Sequence, residues 1–272
     1  MPRLIVTDLD GTLIDHHTYS AAAATEALTS CATALVPIVA CSSKTRAEIR
    51  RLMQTLPVPA APLIAENGSA VWFPATWPSL PAEATSLPHG DGCLVTLGMR
   101  SERLRPELER LASELGMRVH ALSAMTVDGV VALTGLAPEV AELARQREFS
   151  EPFIVDGDPP PLDAMQDAAR AFGLHVTRGG RFFHLLGPTD KGRAVAVVRA
   201  TCAAGHRALG LGDAPNDLSL LGACDDAVIV PQPDRGIHPD LAQALPGARH
   251  AVAPGPVGWN DAVLQWLGRT AD

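Results

Sequence analysis

At the start of the chain, apolar runs of strand length alternate with stretches whose apolar residues recur at helical spacing. Leu4 to Thr7 reads as a buried parallel strand ending in Asp8-Leu9-Asp10-Gly11-Thr12, and a helix is predicted from about Ser20 to Cys31. A second strand, Ala34 to Ala40, ends in Cys41-Ser42-Ser43-Lys44. Ile49, Leu52, Met53 and Leu56 mark the next helix. Pro62 to Ala65 reads as a third strand, followed by the turn Glu66-Asn67-Gly68 and the run Ala70 to Phe73. Strand and helix alternating in this order predict a doubly wound parallel sheet, an α/β, Rossmann-like core. Ligands of such sheets sit beyond the carboxyl ends of the strands, where Asp8, Asp10, Ser42, Lys44 and Glu66 all fall.

The pattern then changes. Residues 74–92, rich in Pro, Gly, Ser and Ala, read as a linker. Beyond it the spacing predicts a strand at Cys93 to Leu97, a helix at Arg103 to Leu115 and a strand at Val127 to Leu133. A helix at Pro138 to Arg147, a strand at Phe153 to Val155 and a helix at Leu162 to Phe172 follow. Leu174 to Thr177 and Phe182 to Leu186 suit a hairpin across Gly179-Gly180. The α/β alternation resumes with a helix from Lys191 to Cys202, strands at Ala208 to Leu211 and Ala227 to Val230, and a last helix from Trp259 to Leu267. The expected organisation is a discontinuous core, 1–82 and 188–272, carrying an inserted α+β domain at 83–187.

Composition narrows the functions. With 272 residues, 47% hydrophobic and 19% charged, the chain is neither disordered nor fibrous. A net charge of -8 argues against nucleic acid or an anionic membrane as partner, while leaving room for a local basic pocket. The opening segment is broken by two Asp residues and is not expected to be a signal peptide or membrane span. Five widely spaced cysteines without a CxxC pair fit a reduced, cytoplasmic protein. Among 22 basic residues only Lys44 and Lys191 are lysines, and both stand beside candidate chemistry.

Asp8 and Asp10 are two apart, so in a strand their carboxylates share a face and repel each other, and a divalent cation would relieve this. Asp213 and Asp217 form a second pair within Gly212-Asp213-Ala214-Pro215-Asn216-Asp217; Pro215 suits a helix start, and Asp217 also suits helix capping. Carboxylates gathered at one sheet edge call for a hard, oxygen-seeking cation, and Mg²⁺ is expected. Ser42 and Lys191 are the expected partners of phosphoryl oxygens; a helix N-cap is the plainer role for Ser42, and a solvated charge for Lys191. Together these groups read as a phosphoryl-transfer site. Asp8 would carry an aspartyl phosphate, Asp10 would act as acid and base, and Ser42, Lys191 and Mg²⁺ would balance the phosphoryl charge.

The ordered set DLDGT, SSK, DK and GDAPND resembles the haloacid dehalogenase superfamily of phosphatases over the whole chain. The resemblance implies Asp8 as nucleophile, Asp10 as acid/base, and Mg²⁺ held by Asp8, the Asp10 carbonyl and Asp213 with Asp217 in support. The insertion then corresponds to a cap domain for substrate specificity. Residues 41–46, 65–68, 147–153, 178–184 and 255–260 more narrowly resemble the mannosyl-3-phosphoglycerate phosphatase family. That resemblance implies hydrolysis of mannosyl-3-phosphoglycerate to mannosylglycerate, a compatible solute, so the partner is a small phosphorylated sugar-glycerate. Ser43, Lys44, Glu66, Asn67 and Asn216 are then expected at the substrate from the core side. From the cap, Arg147 and Arg181 are expected at its carboxylate. Gly179 and Gly180 would offer backbone amides to an anion. Glu148, Ser150 and His184 would meet sugar hydroxyls. A surface ion pair for Arg147-Glu148, a plain turn at Gly179-Gly180 and an unliganded strand residue at His184 are the competing readings. The alternative functions are a related glucosyl-3-phosphoglycerate or other sugar phosphatase, a phosphomutase, and a catalytically silent sensor. The role of Trp259 is open.

Overall fold

The computed structural model describes residues 2–179, 181–202 and 205–268. The chain runs through β1 (Arg3–Thr7), α1 (Thr25–Thr33), β2 (Ile38–Cys41), α2 (Arg46–Met53), β3 (Leu63–Ala65), β4 (Ala70–Phe73), β5 (Thr85–Ser86) and β6 (Cys93–Thr96). Next come α3 (Ser101–Glu114), β7 (Val119–Ala121), α4 (Val127–Thr134), α5 (Pro138–Arg145), β8 (Ser150–Val155), α6 (Leu162–Ala171), β9 (His175–Gly179) and β10 (Phe182–Leu186). The last part holds α7 (Lys191–Ala200), β11 (Arg207–Gly212), α8 (Leu218–Gly222), β12 (Asp226–Ile229), α9 (Pro239–Ala244), β13 (Arg249–His250) and α10 (Val257–Leu267).

Two sheets organise these elements. The larger has nine strands in the order β13-β12-β11-β1-β2-β3-β4-β6-β5. Its pairings from β13 to β3 are parallel, and those of β4, β6 and β5 are antiparallel. The central parallel strands β11, β1, β2 and β3 are buried on both faces, which is why they read as unbroken apolar runs. Alternate residues face opposite ways: Ile5, Ile38 and Leu209 pack with Leu28, Ile49 and Val263, whereas Leu4, Val39 and Ala208 pack with Val195, Leu220 and Leu241. Each fully buried aliphatic side chain contributes about 1.5–3 kcal/mol relative to exposure. The second sheet, β7-β8-β10-β9, is antiparallel. It packs against α3 and α6 through Leu104, Leu108, Phe153, Met165 and Phe183.

Three expectations are corrected. The boundary at 83 moves, because β5 and β6 pair into the large sheet and only the chain after Thr96 belongs to the insertion. Val127 to Leu133 is helical, not a strand: the Thr126 hydroxyl accepts the Gly129 amide at 3.1 Å and Gly135 ends the helix at φ 74°. The strand expected from Ala34 begins only at Ile38, because Leu35 sits in a left-handed turn at φ 53° and is 80% exposed. Residue Gly180 of the expected Gly-Gly turn lies outside the described residues, although β9 and β10 do form the hairpin.

Candidate active site

Asp8 is the first residue past β1, and its position is fixed from three sides. Its amide donates to the Leu211 carbonyl at 2.9 Å, and its own carbonyl accepts the Thr7 hydroxyl at 2.7 Å. That hydroxyl in turn accepts the indole N–H of Trp259 at 3.0 Å. Trp259 is fully buried, so the open question about it resolves into a strut beneath the end of β1 rather than a stacking surface. Gly11 turns the chain at φ 79°, and a Cβ there would stand 3.2 Å from an Asp213 carboxylate oxygen.

The carboxylates of Asp8, Asp213 and Asp217 offer oxygens that all lie within 4.8 Å of one another, and all three residues are buried. Lys191, the first residue of α7, is 1% exposed and reaches into the cluster. Its Nζ lies 2.7 Å from Asp8 Oδ1 and 2.5 Å from Asp217 Oδ1. The other oxygen of Asp217 accepts the amides of Asp213 and Ala214, each at 3.1 Å. Asp217 is thereby committed to Lys191 and to the turn that carries Asp213. Thr12 donates its hydroxyl to Asp213 Oδ1 at 3.1 Å, and the Gln232 amide donates to Oδ2 at 3.0 Å. Sequence reasoning missed Thr12 and Gln232. Thr12 was visible inside DLDGT, whereas no pattern around Gln232 marks it.

The electrostatics show what this cluster lacks. Burial pushes the Asp8 carboxyl well above its usual range; Lys191 pulls it back, and Asp217 and Asp213 push it further up. Burial and the charge of Asp217 push Asp213 up to about 7. Burial alone would lower the Lys191 ammonium, but Asp217 and Asp8 outweigh it and hold it charged. Three carboxylates share one cation, and all the donors are hard oxygens. A divalent ion of the Mg²⁺ kind fits that deficit and that donor set.

Asp10 stands apart from these three. Its side chain is 30% exposed and its Oδ1 lies 2.9 Å from Lys44 Nζ. Burial works against the Lys44 charge, but Asp10 and Glu48 overcome it and raise its pKa. Lys44 also lies 5.2 Å from the centre of the Tyr19 ring.

A cavity of about 1220 Å³ opens above the carboxylates, between the two sheets. Of the residues singled out in the sequence, Asp8, Asp10, Ser43, Lys44, Asn67, Arg147, Gly179, Arg181, His184, Lys191, Asp213 and Asn216 line it. Asn216 donates its side-chain amide to Asn67 Oδ1 at 3.1 Å. The remaining nitrogen of Asn67, the remaining oxygen of Asn216 and Nδ1 of His184 are buried without a protein hydrogen-bond partner. Burial first, and then Arg147 and Lys191, lower the His184 pKa to about 3, so its ring is neutral.

Four of the singled-out side chains fall elsewhere. Ser42 is fully buried, and its hydroxyl accepts the Lys44 amide at 3.2 Å. Helix α2 is capped by Thr45 instead, which accepts the Glu48 amide at 3.2 Å while Glu48 accepts that of Thr45 at 2.8 Å. Glu148 pairs with Arg46 at 3.5 Å and Arg100 at 3.6 Å, not with Arg147. Ser150 is buried and donates to Glu66 at 2.5 Å. Glu66 turns its carboxylate to the inserted domain rather than to the cavity. Arg181 is exposed at the cavity rim, where it donates to the Leu133 carbonyl.

A family profile described as haloacid dehalogenase-like hydrolase matches residues 5–79. A glucosyl-3-phosphoglycerate/mannosyl-3-phosphoglycerate phosphatase of Methanococcoides burtonii is 35% identical, over 99% of this chain and 98% of its own length. A protein of the same name from Persephonella marina is 33% identical, over 97% of both chains. Among solved structures, a Thermoplasma acidophilum protein superposes with a TM-score of 0.68 at 18% identity, covering 98% of this chain and 97% of its own. A haloalkanoate-superfamily phosphatase of Bacteroides thetaiotaomicron follows at 0.67 and 18% identity, covering 98% of this chain and 96% of its own. These two share the fold. Among the described residues no helix is long and apolar enough to cross a membrane. The chain belongs to the haloacid dehalogenase-like hydrolases, within the family of the glucosyl-3-phosphoglycerate/mannosyl-3-phosphoglycerate phosphatases, and is a phosphoric monoester hydrolase.

Proposed function

We propose that this enzyme hydrolyses mannosyl-3-phosphoglycerate, and its glucosyl counterpart, to the glycosylglycerate and phosphate, with Mg²⁺ as cofactor. The observation that carries the reading is the set of Asp8, Asp213 and Asp217 joined by Lys191 at the floor of a cavity whose walls hold Lys44, Arg147 and Arg181. A substrate bearing both a phosphate and a carboxylate matches cations placed at the wall of an otherwise acidic site. Uncharged hydroxyls match the unpartnered atoms of Asn67, Asn216 and His184.

In the mechanism supported here, an Asp8 carboxylate oxygen attacks phosphorus and the bond to the glycerate oxygen breaks, leaving phosphate on Asp8. Asp10, exposed to the cavity, gives its proton to the departing alkoxide. It then takes a proton from the water that attacks the phosphoenzyme and releases phosphate. Lys191 keeps Asp8 aligned and balances negative charge, while Asp217 holds Lys191 in place. Asp8 and Asp213 are the carboxylates that would hold Mg²⁺, which when bound supplies charge neutralisation at the phosphoryl oxygens. The test is phosphate release from both glycosyl-phosphoglycerates beside common hexose phosphates, with and without Mg²⁺. Faster release from the hexose phosphates, or an isomerised sugar phosphate in place of free phosphate, rejects the proposal.

A further inference from the structure

Glu66 follows β3 and is 1% exposed. Both of its carboxylate oxygens are spent on the inserted domain. Oε1 accepts the amide of Glu148 at 3.0 Å, and Oε2 accepts the amide of Phe149 at 3.1 Å and the Ser150 hydroxyl at 2.5 Å. Phe149 belongs to the insertion by sequence but packs in the core of the large sheet, in one cluster with Ile49 and Trp72. Two residues before it, Arg147 has a side chain only 6% exposed. Its Nη1 donates to the Ser43 carbonyl at 2.5 Å and its Nε to the Ala144 carbonyl at 3.0 Å, and it lines the cavity. Glu66 and Asn67 hold consecutive left-handed conformations, at φ 51° and 56°. Non-glycine residues keep such a backbone where surrounding contacts over-determine it: the Glu66 and Asn67 amides donate to the Lys44 and Ser42 carbonyls, each at 3.0 Å, and the Glu66 carboxylate adds its three bonds to residues 148–150.

We infer that Glu66 is a positioning residue: it fastens residues 148–150 of the cap to the core and so sets the Arg147 guanidinium over the substrate carboxylate. Glu66 thus joins the contacts of Arg147 with Ser43 and of Thr45 with the Leu143 carbonyl in attaching the cap away from the two chain crossings near Gly98 and Gly187, which themselves run side by side. The kinetic part of the inference rests on the substrate proposed above; the fastening does not.

Hydrogen exchange on the full chain, without substrate, tests the fastening. Glu66→Gln is nearly isosteric but turns one acceptor into a donor that faces a backbone amide. The Glu148 and Phe149 amides are expected to exchange at least about tenfold faster in the variant, while the paired strand from Phe153 onward keeps its protection. Unchanged exchange at 148 and 149 overturns the inference. For the action through Arg147, kcat/KM on glucosyl-3-phosphoglycerate is measured relative to p-nitrophenyl phosphate, which lacks the carboxylate. Glu66→Gln and Arg147→Ala each lower that ratio about tenfold, and the double variant lowers it no further. Effects that multiply in the double variant overturn the link to Arg147. Failure of both glycosyl-phosphoglycerates as substrates rejects the substrate alone, and the exchange comparison still decides the fastening.

Discussion

Lys191 is the residue on which the acidic cluster depends. It supplies the positive charge in direct contact with both Asp8 and Asp217. Replacing it with Met leaves those carboxylates buried without their cation, and a loss of about 3–5 kcal/mol is expected in urea denaturation at neutral pH. Asp8→Asn keeps size and shape but removes the nucleophile, so phosphate release falls at least about 10³-fold with the circular dichroism of the fold retained. Residual turnover above that level counts against a covalent route. His184 gives a pH signature. Its folded pKa of about 3 lies below the ordinary value of 6.5, so the unfolded chain binds the proton first as pH falls. His184 therefore costs nothing above pH 6.5 and destabilises the fold by about 1.4 kcal/mol per pH unit from there down towards 3. Denaturation of wild type and His184→Gln at several pH values should converge as pH rises and diverge as it falls; parallel curves would mean the ring is not held neutral. At this scale the sequence displayed the carboxylates, because they stand at strand ends in a set order. It did not display Gln232, or the strut from Trp259 to Thr7, because those contacts join residues far apart in the chain.

Helices and strands were legible where burial imposed a clean period. β1, β2 and β11, apolar on both faces, stand out as runs, and α3 shows its Leu104-Leu108-Leu111 stripe. α4 was misread because its valines suit a strand, and its short length left periodicity little to show; the cap from Thr126 and the stop at Gly135 decide the matter. The edge of the insertion was also hidden. Nothing local in Cys93–Thr96 tells whether it pairs with β4 or with the sheet of β7 to β10. Two element ends carry predictions. Thr45→Ala removes the cap of α2 and should lower stability by about 1 kcal/mol, measured by thermal melting with the Glu48 variant alongside. Gly68→Ala is far more severe. Gly68 sits at φ 91°, and a Cβ there would stand 2.1 Å from the Asp190 carbonyl oxygen and 2.8 Å from the Lys191 amide. The start of α7 must shift, so activity is expected to fall along with stability; a fully active Gly68→Ala would mean that the position of Lys191 is not critical.

The two sheets behave as one molecule because the insertion lends Phe149 to the core of the large sheet and takes Glu66 in exchange. The proposed Mg²⁺ site adds a further tie that is sensitive to solution conditions. Mg²⁺ at a hundredfold excess over its Kd should raise unfolding stability by about 2.7 kcal/mol, and chelation should reverse this together with phosphate release. No change on chelation would argue that Lys191 alone balances the site. The large sheet also ends in a particular way. Its outermost strands, β5 and β13, are only two residues long, Thr85–Ser86 and Arg249–His250, and their residues are exposed and polar. A strand from a second copy therefore finds almost no free backbone ladder to extend. Pairing of copies through a continued large sheet is therefore disfavoured, and a strand ladder running from one copy to another would have to start from the edges of the second sheet, β7 and the five-residue β9.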